Sequence, residues 1–234
     1  MNIIDIAILV LLACSIIFAI YRGSVASLWG LAASVAAFPL TFLIAPYIAS
    51  WLGSNRGIME VLATYTDANA LVGDYTLATT AVQGMSQSAL QAVINSLSLP
   101  DTVLDILRTN MMQNVFASSG LTTVNDYVAY TIVATSLSSV CFVGTYAVCS
   151  TALHFVITLI DHVFRFPVLK HFDGLIGGVF GLLRGMLILY VLFLLVPVVL
   201  TIVPVSLVRS LFASSTLSGI FTSSCFFIRV VTGI

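Results

Sequence analysis

Four long runs of apolar residues alternate with shorter polar stretches along this chain of 234 residues. A helix of about 20 residues spans the roughly 30 Å hydrocarbon core of a bilayer, so each run is long enough to cross a membrane. We therefore predict an all-α polytopic membrane protein with about four transmembrane helices. Their predicted bounds are about 3–20, 24–51, 126–160 and 174–203.

The stretch between the second and third predicted spans has a different pattern. It carries acidic and amide side chains but keeps apolar residues at helical spacing, first around Val61 and then around Leu90 and Val93. Pro100 is typical of the first turn of a further helix. We therefore predict that residues 53–125 form an amphipathic helical cap on the membrane surface.

The last 31 residues, 204–234, alternate serine and threonine with leucine, phenylalanine and isoleucine. Because hydroxyl groups interrupt every long apolar run, this pattern favours an interfacial or docked amphipathic segment over a fifth span. The predicted organisation has four parts. These are helices one and two (1–52), the cap (53–125), helices three and four (126–203) and the amphipathic C-terminal segment (204–234).

The composition agrees with a membrane protein and argues against other classes. The chain is 60% hydrophobic and 7% charged, whereas soluble proteins carry about 25% charged residues. A net charge of −1 provides no electrostatic basis for binding nucleic acid. The predicted partners are the lipid bilayer and either further copies of this chain, in a homo-oligomer, or other membrane proteins.

Lysine and arginine near the spans set the predicted orientation, since positive loops stay in the cytoplasm. Arg22, Arg165 and Lys170 lie in the two short connections, which we predict to be cytoplasmic. The N-terminus, the 53–125 cap and the C-terminus would then be extracytoplasmic.

A charged, glycine-rich motif opens the fourth predicted span. Asp173 and Arg184 are eleven residues apart, close to three helical turns, so they share a helix face but lie roughly 16 Å apart along the axis. Gly177 and Gly181 lie near the line between them, and Gly185 follows Arg184. Glycines at this spacing allow membrane helices to pack closely.

A similar motif encloses the first span, where Asp5 opens the helix and Arg22–Gly23 closes it, and Gly30 lies in a small-residue stripe of helix two. Two interpretations of the fourth-span motif remain open. Either Asp173 caps its helix and Arg184 extends to the headgroups, or Arg184 lines a polar cavity or subunit interface that matters for transport. The candidate functional or interface residues are Asp5, Arg22, Gly23, Gly30, Asp173, Gly177, Gly181, Arg184 and Gly185.

The sequence contains no recognisable catalytic constellation. It has no GxSxG, HExxH, P-loop or GxGxxG element. Three histidines, His154, His162 and His171, lie near aspartates along the chain, but the set straddles a proline and lacks a compact ligand spacing. We therefore predict no enzymatic activity, no cofactor and no metal site, and we interpret the histidines as interfacial polar residues.

These motifs resemble a known family when they are taken together. The stretch 161–185 holds a proline-containing connection, then Asp173, spaced glycines and Arg184–Gly185, and it resembles the signature of the colicin V production protein (CvpA) family. The first half is similar as well, with the early Asp5, an apolar helix, Arg22–Gly23 and a glycine in the second helix.

The resemblance covers residues 1–52 and about 127–203, while the 53–125 insertion is similar to longer members of the family. Phe172 stands where a leucine is common before the aspartate. The resemblance implies a protein of the bacterial inner or plasma membrane with about four spans. It also implies a link to toxin (colicin V) production or export and to cell-envelope homeostasis, and it assigns no catalytic residues.

Two functions are consistent with these features. The first is a non-enzymatic accessory in toxin production or secretion and in envelope homeostasis. The second is an oligomeric channel or transporter-like pore, lined by the hydroxyl groups of helix three and guarded by Arg184. The pore requires an oligomer, because four spans with few charges enclose too little space by themselves.

Overall fold

The computed structural model describes residues 2–65, 72, 75–97, 99–163, 173–202, 210–212 and 214–222. In this part of the chain the structure is helical, and extended pairing is confined to an isolated bridge between Ala81 and Thr123. Four stretches are long and apolar enough to cross a membrane, which confirms the predicted all-α polytopic fold. These stretches are Ile3–Arg22, Ser24–Gly53, Val124–Leu159 and Asp173–Thr201.

The helices of the described residues are numbered here in chain order. The long ones are α1 (Ile3–Arg22), α2 (Ser24–Gly53), α7 (Val124–Val163) and α8 (Asp173–Phe193). The shorter ones are α3 (Arg56–Tyr65), α4 (Tyr75–Thr79), α5 (Gln87–Ser96), α6 (Asp101–Met112), α9 (Val196–Ile202) and α10 (Ser218–Thr222), and a 3₁₀ turn covers Ala117–Ser119.

Helix α7 begins two residues before its predicted start because Thr123 and Asp126 form a reciprocal cap. The backbone N–H and the hydroxyl of Thr123 donate to Asp126 Oδ2 at 3.1 and 2.7 Å. The N–H of Asp126 donates back to Thr123 Oγ1 at 3.2 Å. This reciprocal pair satisfies donors that the first helical turn leaves without partners.

The fourth span, predicted over about 174–203, is present but is interrupted near its end. Helix α8 ends at Phe193, and α9 begins only at Val196 after a turn. Pro197 has no N–H to continue the hydrogen-bond ladder of α8, but it fits the first turn of a new helix. The proline therefore divides the span into two helices.

The chain forms two compact units. The first contains Met1–Ala45, Cys141–Leu194 and Val205–Ser224. Its core includes the buried side chains of Ala37, Tyr146 and Val191. Helices α2, α8 and the second half of α7 supply these contacts. The candidate residues of the sequence motifs lie on α1, α2 and α8 and in the turn at Gly23.

In the described part of the chain, the second unit contains Pro46–Val140 and residues 195–202. Its hydrophobic core combines α5, α6 and the first turns of α7. The fully buried residues of this core include Val93, Leu107, Val124, Tyr127 and Val128. The apolar face predicted around Leu90 and Val93 is therefore a packing face, whereas Val61 on α3 is 57% exposed.

The described part of the C-terminal segment docks on the first unit, which is one of the two predicted placements. The side-chain amide of Asn2 donates to the carbonyl oxygen of Leu211 at 2.7 Å. The ring of Phe193, the last residue of α8, lies 5.1 Å from the ring of Phe221, between centroids. Polar and aromatic contacts thus fasten this segment to α1 and α8.

Candidate functional site

The carboxylate of Asp5 fastens the C-terminal segment to the start of α1. Asp5 is 3% exposed, and its Oδ2 accepts the N–H of Asn2 at 2.9 Å within a capping box. Its Oδ1 accepts the hydroxyl of Ser215 at 2.6 Å and the N–H of Leu217 at 3.1 Å. The negative charge also lies at the positive end of the helix dipole, where it is favourable.

The glycines of α8 form the surface on which α1 packs. Gly177, Gly181 and Gly185 are all buried. A Cβ atom on Gly177 would lie 2.8 Å from the carbonyl oxygen of Ala19, and one on Gly185 would lie 3.0 Å from the Cβ of Ser15. The hydroxyl of Ser15 donates to the carbonyl oxygen of Gly181 at 2.7 Å. The two helices are antiparallel and in backbone contact, as small residues permit in membranes.

The turn between α1 and α2 meets the start of α8 at Asp173. Asp173 Oδ1 accepts the N–H of Ser24 at 2.6 Å and also the Ser24 hydroxyl. Gly23 has a φ of +83°, and a Cβ there would lie 2.5 Å from Asp173 Oδ2. Glycine is thus required for its backbone conformation and for the space beside the carboxylate. The predicted capping role of Asp173 is directed at α2, whose first N–H group it accepts.

We expect Asp173→Ala to lower the free energy of unfolding by about 1–3 kcal/mol, because the largely buried N–H of Ser24 loses its acceptor. Thermal denaturation of the purified protein in detergent measures the change. Asp101→Ala is the matched control, since Asp101 is exposed in the first turn of α6. Equal destabilisation by both substitutions would contradict the structural role of Asp173.

Two arginines and a histidine from three helices form a cationic cluster in the first unit. Arg22 Nη1 lies 3.0 Å from His154 Nε2, and the Arg22 guanidinium lies 4.9 Å from the centre of the Phe18 ring. Gly30 on α2 provides the space for the other arginine. A Cβ on Gly30 would lie 2.9 Å from His154 Cε1 and 3.2 Å from Arg184 Nη1. We call Arg22, His154 and Arg184 the cationic cluster.

A small cavity, with room for about one water molecule, adjoins the cationic cluster. Arg22 and Arg184 line it together with Ser15 and Ser27. Both serine hydroxyls already donate to backbone carbonyl oxygens, at 2.7 and 2.9 Å. Arg184 Nε and His154 Nδ1 are buried without a hydrogen-bond partner in the described structure. The nitrogen atoms without a hydrogen-bond partner in this region therefore belong to the cationic cluster.

The family model of the colicin V production protein matches residues 4–100 and 111–225. The chain belongs to the colicin V production protein family. The match extends over both halves that resemble the family and over most of the predicted cap. Together with the four candidate spans it makes the chain a multi-pass membrane protein with a CvpA-type role in colicin production. No curated protein and no solved structure matches it.

In this CvpA-family protein the candidate residues fall into four places. Asp5 lies at the C-terminal segment, and the glycines of α8 line α1. Gly23 and Asp173 meet at the α1–α2 turn, while Arg22, Arg184 and Gly30 lie at the cationic cluster. Arg184 lines the small cavity, and both interpretations of its role stay predictions. The sequence motifs did not identify His154 as a neighbour of both arginines. The three residues lie on different helices, so their spacing along the chain does not indicate that they are close in space.

Proposed function

We propose that this CvpA-family protein is a non-enzymatic accessory in the production or secretion of colicin V-type toxin and in cell-envelope homeostasis. It resides in the bacterial inner or plasma membrane and acts by binding membrane components or other membrane proteins, including further copies of itself. The observation that carries the proposal is the family match over nearly the whole chain.

The hydrogen bonds of two carboxylates in the first unit support a binding role. A carboxylate that serves as general acid, general base or nucleophile must be within reach of a substrate. In the first unit, Asp5 and Asp173 both accept hydrogen bonds that join segments distant in the sequence. Among the described residues, no group of three or more histidine, cysteine, aspartate or glutamate side chains could hold a metal ion.

The test is a titration of the protein in cells that produce colicin V. In a strain without the chromosomal gene, the protein is expressed from an inducible promoter, and secreted toxin is measured on sensitive cells. A binding accessory acts in proportion to its amount, so we expect toxin output to rise with protein level until it saturates. Unchanged output in the deletion strain would overturn the toxin role, and full output at trace protein levels would overturn the non-enzymatic role.

The cavity beside Arg184 favours a second candidate, an oligomeric channel or transporter-like pore. In this case Arg184 would control the passage of solutes between helices of an oligomer. Purified protein in liposomes distinguishes the two candidates. Solute flux that Arg184→Ala abolishes would support the pore, and the absence of flux in every oligomeric state would contradict it.

We further propose that the 53–125 cap is extracytoplasmic, and cysteine labelling tests this orientation. In a variant without the native cysteines, Gln91→Cys places a thiol on the exposed side of α5. We expect an impermeant maleimide to label it in intact cells. Tyr21→Cys is the control, because Tyr21 is 89% exposed beside the α1–α2 turn and should react only after lysis. Labelling of Gln91→Cys only after lysis would reverse the orientation.

A further inference from the structure

The unpartnered atoms of the cationic cluster are both hydrogen-bond donors. A guanidinium only donates, so His154 Nε2 must accept from Arg22 Nη1, 3.0 Å away. The neutral imidazole then carries its proton on Nδ1, which is buried without a partner. The other buried atom is Arg184 Nε, which also carries a hydrogen. Buried donors without acceptors are costly, so this cluster needs an acceptor that the described residues do not provide.

The cluster also has an excess of positive charge. Arg22 and Arg184 line the same cavity, and in the described part of the chain neither forms an ion pair with a carboxylate. The carboxylate of Asp173, at the start of α8, already accepts the hydrogen bond of the Ser24 N–H. Positive charges among apolar helices are expensive unless an anion or water compensates them. The missing acceptor is therefore expected to be negatively charged.

The cavity is accessible from the outside of the first unit. Phe18 and Arg22 line it, and the Phe18 side chain is 56% exposed. Arg22 is the last residue of α1, so it lies at the end of a span, where lipid headgroups are found. The cavity has room for about one water-sized group, such as a single oxygen atom of an anion, and both arginines line it.

We propose that Arg22 and Arg184 bind a phosphate-type oxyanion. Its oxygens accept hydrogen bonds from the two guanidiniums, whose planar donor geometry matches phosphate, while His154 Nε2 accepts from Arg22 and positions it. The headgroup of an anionic phospholipid and inorganic phosphate are two sources of this chemistry. This proposal is independent of the proposed role in toxin production, because the binding of lipid or phosphate is measured on the purified protein.

The test compares both sources on the full chain in detergent. One arm titrates phosphatidylglycerol, with phosphatidylcholine as the reference, and counts bound lipid by native mass spectrometry. The other arm adds inorganic phosphate to lipid-free protein and measures the melting temperature against sodium chloride of equal ionic strength. We expect Arg22→Gln and Arg184→Gln each to weaken binding by about tenfold or more, since charge-assisted hydrogen bonds are the strong ones.

Two further variants complete the design. Arg108→Gln removes the same charge from an exposed position on α6 and should bind like the wild type. Gly30→Ala keeps every charge but places a methyl group 3.2 Å from Arg184 Nη1, and it should also weaken binding. If Arg184→Gln fails to fold, the Arg22→Gln variant still provides the test, because Arg22 is exposed.

Each outcome decides the proposal. Phosphatidylglycerol binding that falls in the Arg22 and Arg184 variants, without an effect of inorganic phosphate, assigns the site to a lipid headgroup. Stabilisation by inorganic phosphate that the same variants abolish assigns it to a soluble phosphate group. Binding of neither, or binding that both variants leave at the wild-type level, would overturn the proposal.

Discussion

Replacing Gly181 by alanine should separate α1 from α8 and lower the free energy of unfolding by about 2–3 kcal/mol, the upper part of the roughly 1–3 kcal/mol that overpacking costs. The added methyl group would overlap Ala19 Cβ and lie 2.8 Å from the carbonyl oxygen of Ser15 and 3.2 Å from the Cα of Ile16. These atoms belong to the backbone or are attached directly to it, so no side-chain rotation relieves the contact. The whole interface between the two helices has to move.

A series of glycine-to-alanine substitutions isolates this effect. At Gly178 the nearest atom to a new Cβ is the flexible Cγ1 of Ile20 at 3.2 Å, so we expect a smaller loss. At Gly144 on α7 no atom lies within 4 Å, and alanine should be neutral or slightly stabilising because of its helix propensity. The melting temperature in detergent should therefore be highest for Gly144→Ala, lower for Gly178→Ala and lowest for Gly181→Ala. Equal values would contradict backbone contact at Gly181.

The second large effect is expected for Asp5→Ala, which should destabilise the protein by about 3 kcal/mol and release the C-terminal segment. The substitution removes the helix cap and leaves the Ser215 hydroxyl and the Leu217 N–H without their acceptor. Ser215 is only 7% exposed, so water replaces the carboxylate poorly. Limited proteolysis should cleave the variant near residues 210–222 before the helices are cut.

A double-mutant cycle between Asp5 and Ser215 separates the direct contact from loss of the cap. We expect Ser215→Ala to cost less once Asp5 is already alanine, because the 2.6 Å bond between the two side chains is then already lost and only the bond from the Ser218 N–H to Ser215 Oγ remains. Thr216→Ala is the control, since Thr216 is exposed beside Ser215. Additive effects of Asp5→Ala and Ser215→Ala would show that the carboxylate does not fasten this segment.

Much of the architecture could be predicted from local patterns. Each span follows from the length of its apolar run, and the packing face of α8 follows from the spacing of Gly177, Gly181 and Gly185. These features depend on helix geometry and on side-chain size, which act over a few residues. Helix α7 begins two residues before the predicted start of about 126, because Thr123 and Asp126 cap it there.

The sequence by itself thus determined the helices, the faces with which they pack and the family. Only the tertiary structure decided the polar pairs, which join Ser24 to Asp173, Asp5 to Ser215 and Arg22 to His154. The partners in each pair are more than 130 residues apart along the chain. Hydropathy and helical spacing are local quantities, so they do not encode which helix end meets which. That choice follows from backbone contact between α1 and α8, which brings the candidate side chains together.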